Sequence, residues 1–183
     1  MIVEKEYQLN GIAILKNTLN FYNFKFCCEV FRSTSTGSPS LPVLTIEGNT
    51  IVATNRVVIR IMDLGTSPDI PESVYIIKSS SKSKIVLSPE YVEKFPEYKA
   101  IPIPDTQICD ANFDCFSSGY ANLIIAMHEV EPGYLVDYSY IQDIVGQYHV
   151  FYNGGTTPVY FKGIGDNDGK TIMVMSRQNR AYR

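Results

Sequence analysis

Tryptophan is absent from this chain, histidine occurs only twice, and no run of 18 or more apolar residues occurs anywhere. The last absence excludes a helical membrane span, which needs about 20 consecutive apolar residues. His128 and His149 stand in no recognised spacing with a Cys, a Ser or a carboxylate. There is also no nucleophile elbow, no P-loop and no Cys or His pair at zinc spacing. With no convergent acid, base or metal set, the chain reads as a non-enzyme that needs no cofactor. His128 reads as a satisfied structural histidine rather than a general base, although imidazole titrates near neutrality. Gly163 and Gly165 lead into an acidic turn instead of a helix, so they make no phosphate cradle. Asp166 and Asp168, with Asn167 between them, have the alternation that holds a hard cation. They lack the downstream Glu of a calcium loop, and a hairpin turn is the plainer reading.

Positive charge is also missing over a long stretch. From Ala100 to Phe161 there is no Lys or Arg, while Asp105, Asp110, Asp114, Glu129, Glu131, Asp137 and Asp143 all fall there. Basic residues gather instead in Lys78-Ser-Ser-Ser-Lys82-Ser-Lys84 and in Arg177, Arg180 and Arg183. These clusters read either as solvated, flexible surface or as contacts to phosphates. The net charge of -3 gives the whole molecule no bulk attraction to nucleic acid or to anionic membrane. The N-terminal MIVEKEYQLN lacks the basic and apolar regions of a signal peptide, so a cytoplasmic location with reduced thiols is expected. Cys27 and Cys28, read as strand neighbours, point to opposite faces. A disulfide between Cys109 and Cys115 stays open, with free thiols preferred.

Against these absences stand 13 Tyr and 9 Phe, which favour a β-rich fold. Residues 2 to 8 read as a strand. Asn10 then caps a helix whose apolar positions Ile12, Leu15, Leu19 and Tyr22 recur at three and four. Phe24 to Phe31 has strand-like density, and Arg32 to Ser40 is a loop. Three strands follow, VLTIEG, TIVATN and RVVIRIMDL, separated by turns at Gly48-Asn49 and Asn55. In the third, Val58, Arg60 and Met62 form a mixed outer face opposite Val57, Ile59 and Ile61. Ser73 to Ile77 is another strand.

Residues 85–125 read as a proline-rich bridge and insertion, the latter packed by Phe113 and Phe116. Asn122 to Val130 resumes strand character. Asp137 or Ser139 caps a second helix carrying Ile141, Ile144, Val145 and Tyr148, and three strands close the chain at 148–152, 157–162 and 170–176. The expected fold is α+β: two strand–helix–three-strand repeats, 1–84 and 126–183, forming antiparallel sheets each backed by a helix in one domain.

Three segments of this pattern resemble the bacterial-type DNA sliding clamp, the β subunit of the replicative polymerase. Leu44 to Ile61 resembles the clamp's middle-domain hairpin, with Ala-Thr before a polar turn; Arg56-Val57-Val58 stands where the family has Gly-His-Arg. Phe95-Pro96-Glu97-Tyr98 resembles its interdomain Phe-Pro-Asp-Tyr linker. Tyr134 to Arg177 resembles its C-terminal half-domain. The resemblance implies a clamp-like fold and a DNA replication accessory that self-associates into a ring. It also implies a peptide-binding groove of Thr54, Pro96, Tyr98, Ile101, Met173 and Met175, suited to short apolar peptides of a polymerase or another replication protein. Double-stranded DNA would meet Lys16, Lys25, Lys78, Lys82 and Lys84, the second helix offering no cation. The other reading is an interaction module of clamp type that does not encircle DNA.

Overall fold

The computed structural model describes residues 7–8, 11–31, 42–89, 95 and 97–179. Asn10, the loop Arg32 to Ser40, Pro96, Arg180 and Arg183 lie outside them. The chain divides into two compact units, Met1–Glu97 and Tyr98–Arg183.

The first unit begins with β1 (Tyr7–Gln8) and β2 (Gly11–Leu15), where a helix was expected. Ile12 and Ile14 are buried while Ala13 and Leu15 are half-buried, a period of two that β-branched residues reinforce. Leu19 and Tyr22, 80% and 67% exposed, belong to no core stripe, so the three-and-four spacing that suggested a helix is fortuitous. The helix α1 lies further on, at Phe21–Cys28, where a strand was expected. Phe21, Phe24, Cys27 and Cys28 make its buried face. Cys27 and Cys28 are thus both inward-facing.

Next come β3 (Val43–Glu47), β4 (Thr50–Thr54) and β5 (Val58–Asp63), as the sequence indicates, and a hairpin of β6 (Val74–Ser80) and β7 (Lys84–Ser88). The antiparallel order within this unit is β1-β2-β7-β6-β3-β4-β5. In β5 the expected faces are reversed. Val58, Arg60 and Met62 point inward, and Arg60 is only 1% exposed. Its Nη1 donates to the Phe26 carbonyl (3.2 Å), and the guanidinium lies 5.3 Å from the Phe26 ring centroid. The charge sits inside because α1 supplies both an acceptor and an aromatic face.

The second unit opens with β8 (Gln107–Asn112) and α2 (Phe116–Val130), both within the stretch taken for bridge and insertion. The strand expected at Asn122 to Val130 is the end of α2, because Gly119, Leu123, Ala126 and Met127 bury one helical stripe. A short β9 (Tyr134–Leu135) precedes α3 (Tyr138–Ile141), a single turn capped by Asp137, whose Oδ1 accepts from the Ser139 N–H at 3.0 Å. Tyr148 falls outside that helix, in β10 (Gln147–Phe151). β11 (Pro158–Gly163), β12 (Lys170–Met175) and β13 (Arg177–Gln178) complete the unit.

Here the order is β12-β11-β10-β8, with a separate β9-β13 pair. Phe113 anchors the core, its ring centroid 5.7 Å from Phe116 and 6.2 Å from both Tyr148 and Phe161. Gly119 lets α2 approach β8: a Cβ there would stand 2.5 Å from the Asn112 carbonyl oxygen.

Each unit therefore repeats one sequence of elements: β2, α1, β3, β4, β5 in the first and β8, α2, β10, β11, β12 in the second. Their sheets differ in pairing. β8 pairs directly with β10, whereas the β6–β7 hairpin separates β2 from β3.

Candidate nucleic-acid interface

Lysines far apart in sequence meet around that inserted hairpin. β2 pairs with β7 so that Leu15 stands opposite Lys84, and the Lys16 N–H donates to the Ser83 carbonyl at 2.9 Å. Lys82 lies in the connecting turn. Ser81 holds this turn rigid: its Oγ accepts from the Lys84 N–H (3.0 Å) and donates to the Lys84 carbonyl (2.9 Å). From α1, Lys25 reaches the same strand end, its Nζ donating to Ser80 Oγ at 2.8 Å while pairing with Glu29. Lys78 is exposed on β6 beside a register shift. Four of the five lysines thus gather at one end of one sheet, on elements fixed by backbone pairing. Lys25 is partly neutralised by Glu29; Lys16 and Lys82 are exposed. Clustered cations of this kind suit phosphate contacts made without base readout.

The helices offer much less. Ser117, Ser118, Ala121, Asn122, Ile125, His128 and Glu129 make the exposed face of α2, which has no Lys or Arg. Lys25 is the one cation of α1.

The peptide-groove candidates are placed unit by unit. Thr54 is 1% exposed. Its Oγ1 is committed to its own turn, accepting from the Arg56 N–H (2.9 Å) and donating to the Val58 carbonyl (3.0 Å). In the second unit Tyr98 and Ile101 are half-buried in one turn, closed by the Ile101 N–H on the Tyr98 carbonyl (3.1 Å). Met173 and Met175 share a face of β12, Met173 buried and Met175 41% exposed.

Two local arrangements were invisible in the sequence. His149 and Asp110, 39 residues apart, are opposite one another on β10 and β8, with Nδ1 2.6 Å from Oδ1; Gln107 Nε2 donates to the same oxygen at 2.8 Å. Cross-strand register alone makes this pair. Asn167 of the acidic turn is bound inward, donating to the Val145 carbonyl (2.9 Å) and accepting from Lys170 Nζ (2.7 Å). Among the described residues no three His, Cys, Asp or Glu side chains are grouped to hold a metal ion.

All four cysteines are free. Cys115, exposed at the start of α2, has its pKa lowered by the Ser118 hydroxyl and by the N–H groups of Ser118 and Ser117. Burial raises the other three, Cys28 to about 12 and Cys109 to about 11. Iodoacetamide near neutral pH is therefore expected to label one thiol in the native protein, counted by mass spectrometry. The label should vanish in Cys115→Ser, while denaturation should open the remaining sites. Two or more fast sites in the native protein would contradict the described burial.

No family model and no curated protein sequence matches this chain. Solved structures do. The DNA polymerase III subunit beta of Pseudomonas aeruginosa superposes with a TM-score of 0.55 at 11% identity, over 97% of this chain and 69% of that one. The fold is that of a DNA sliding clamp. The β subunit of Thermotoga maritima agrees, with a TM-score of 0.52 at 8% identity over 97% and 68% of the two chains. So does a Pseudomonas aeruginosa sliding clamp bound to griselimycin, at 0.55 and 12%, over 97% and 68%. This clamp-fold chain thus spans about two-thirds of the length of these clamps. No described helix is long and apolar enough to cross a membrane.

Proposed function

We propose that this protein is a sliding-clamp-like, non-catalytic accessory of DNA replication, a processivity factor that self-assembles and receives partner proteins through a short apolar peptide. The twofold repeat of strand, helix and three strands, matched to clamp structures over nearly the whole chain, carries this reading. If each chain supplies one clamp domain, closed symmetry takes about six copies. Phosphate contact falls to Lys16, Lys78, Lys82 and Lys84, with Lys25 beside them. The peptide groove falls to Tyr98, Ile101, Met173 and Met175 of the second unit.

Two measurements test this reading. Equilibrium sedimentation at tens of micromolar should show a closed oligomer, and a monomer alone would reject it. Affinity for duplex DNA should fall with salt, and Lys16→Glu, Lys82→Glu and Lys84→Glu together should flatten the log–log slope by about 2 to 3.

The cation-free face of α2 favours a second reading, a clamp-type interaction module that does not encircle DNA. It predicts no retention of nicked or linear DNA even at low salt, with partner-peptide binding intact. In either reading Met175→Ala should weaken that peptide binding. Unchanged binding rejects the groove.

A further inference from the structure

Alternation along β10, β11 and β12 divides their side chains between two faces of the second unit's sheet. Tyr148, Val150, Val159, Phe161, Ile172 and Val174 take the buried one. Register fixes what stands together on the other. Tyr160 is paired with Phe151 on one side and with Met173 on the other. One rung further along, Lys162 is paired with His149 and Thr171, and one rung back Pro158 stands opposite Met175. Successive rungs on one face lie about 6.6 Å apart. Phe151 and Tyr160 are half-buried and meet edge to face, their ring centroids 6.0 Å apart. Met173 is buried beside them, and Met175 is 41% exposed. This face therefore runs from a methionine through an aromatic pair to a charged row.

We propose that this face selects an extended partner peptide of the form apolar-x-apolar-x-acidic, whose carboxylate meets Lys162. The inference rests on the peptide-groove reading above and specifies which peptide the groove accepts. A chain lying extended along β11 turns every second side chain toward the sheet, at the same repeat of about 6.6 Å as the rungs. Its first anchor then meets Met175, its second meets Tyr160 and Phe151, and its third inward side chain lies over Lys162. The acidic end is indicated by charge. Lys162 is the only Lys or Arg on this face of β10 to β12; it is exposed and has no ion pair among the described residues. Asp110, which continues the charged row onto β8, is already engaged by His149 and Gln107. An exposed lysine of this kind acts mainly on the on-rate and the salt dependence, while the apolar rungs supply the affinity.

Fluorescence anisotropy with N-terminally labelled, C-terminally amidated peptides tests the proposal. Leu-Ser-Phe-Ser-Glu and its reverse, Glu-Ser-Phe-Ser-Leu, cover the two chain directions, and each is also made with Lys in place of Glu. In the direction that binds better, the Glu form should bind about fivefold more tightly than the Lys form at low ionic strength, a preference that salt removes. Replacing the peptide's Phe by Ala should cost about tenfold or more. Lys162→Glu, at an exposed position, should reverse the order of the Glu and Lys forms with circular dichroism unchanged. Tyr160→Ser should weaken both forms alike. Equal affinity for the Glu and Lys forms overturns the proposal, as does an order unchanged in Lys162→Glu. Weakening by Met175→Ala without any effect of Lys162→Glu would keep the groove and overturn the acidic selection. Failure of every peptide to bind the wild-type protein would overturn both.

Discussion

Asn55→Ala is expected to lower stability by about 3 kcal/mol, which for a chain of this size is a fall of about 6–12 °C in the melting temperature. Asn55 is 3% exposed. Its Oδ1 accepts from the N–H groups of Val57 (3.1 Å) and Val58 (2.8 Å), and its Nδ2 donates to the Val30 carbonyl (3.0 Å). Two of these bonds shape the β4–β5 turn, in which Arg56 has a φ of 74°. The third ties that turn to the residues after α1. Alanine would leave two donors and one acceptor stranded where water has little access, and each stranded group costs about 1–3 kcal/mol. Asn55→Asp keeps the acceptor and loses the donor, so its loss should be smaller in neutral conditions. Denaturant titrations of the two variants and the wild type check the ordering, and equal stability of Asn55→Ala and wild type refutes it.

Gly163→Ala should cost as much, for a steric reason. A Cβ at Gly163 would overlap the backbone carbonyl of Asn167. That carbonyl cannot retreat cheaply. Asn167 is fixed by its N–H to the Ile164 carbonyl (3.2 Å) and by its side chain to Val145 and Lys170. Its amide also fills the space beside Gly146, which has a φ of 87°. Moving the turn therefore unseats several bonds together, which puts the cost at about 3 kcal/mol, the upper end for overpacking. Gly65→Ala is the control. Its φ is 69° but no atom lies within 4 Å of an added Cβ, so only backbone strain of about 1–2 kcal/mol is expected. Similar melting temperatures for the two variants would show that the Asn167 turn yields freely.

The sequence makes the antiparallel repeat legible through local chemistry. β3, β4 and β5 lie between turn residues that encode their ends: Gly48 takes a positive φ, the Asn55 side chain closes its turn, and Asp137 caps α3. The resemblance to clamps rests on the same segments, and the fold agrees with it. Helix placement was less legible. Ile12, Leu15, Leu19 and Tyr22 satisfy a helical period while Phe24 to Phe31 and Asn122 to Val130 satisfy strand density, because short apolar runs carry both signals. Tertiary packing chose between them by burying Ile12 and Ile14 on a sheet and Leu123, Ala126 and Met127 on a helix.

Composition and spacing alone indicated an α+β chain, rich in turns. Only the folded chain decided which lysines stand together, that Arg60 faces inward, and that a β6–β7 hairpin opens the first sheet beside a short helix. The reason is physical. Turn and alternation signals act over a few residues, whereas strand order joins residues such as Leu15 and Lys84 through backbone hydrogen bonds that no local pattern encodes.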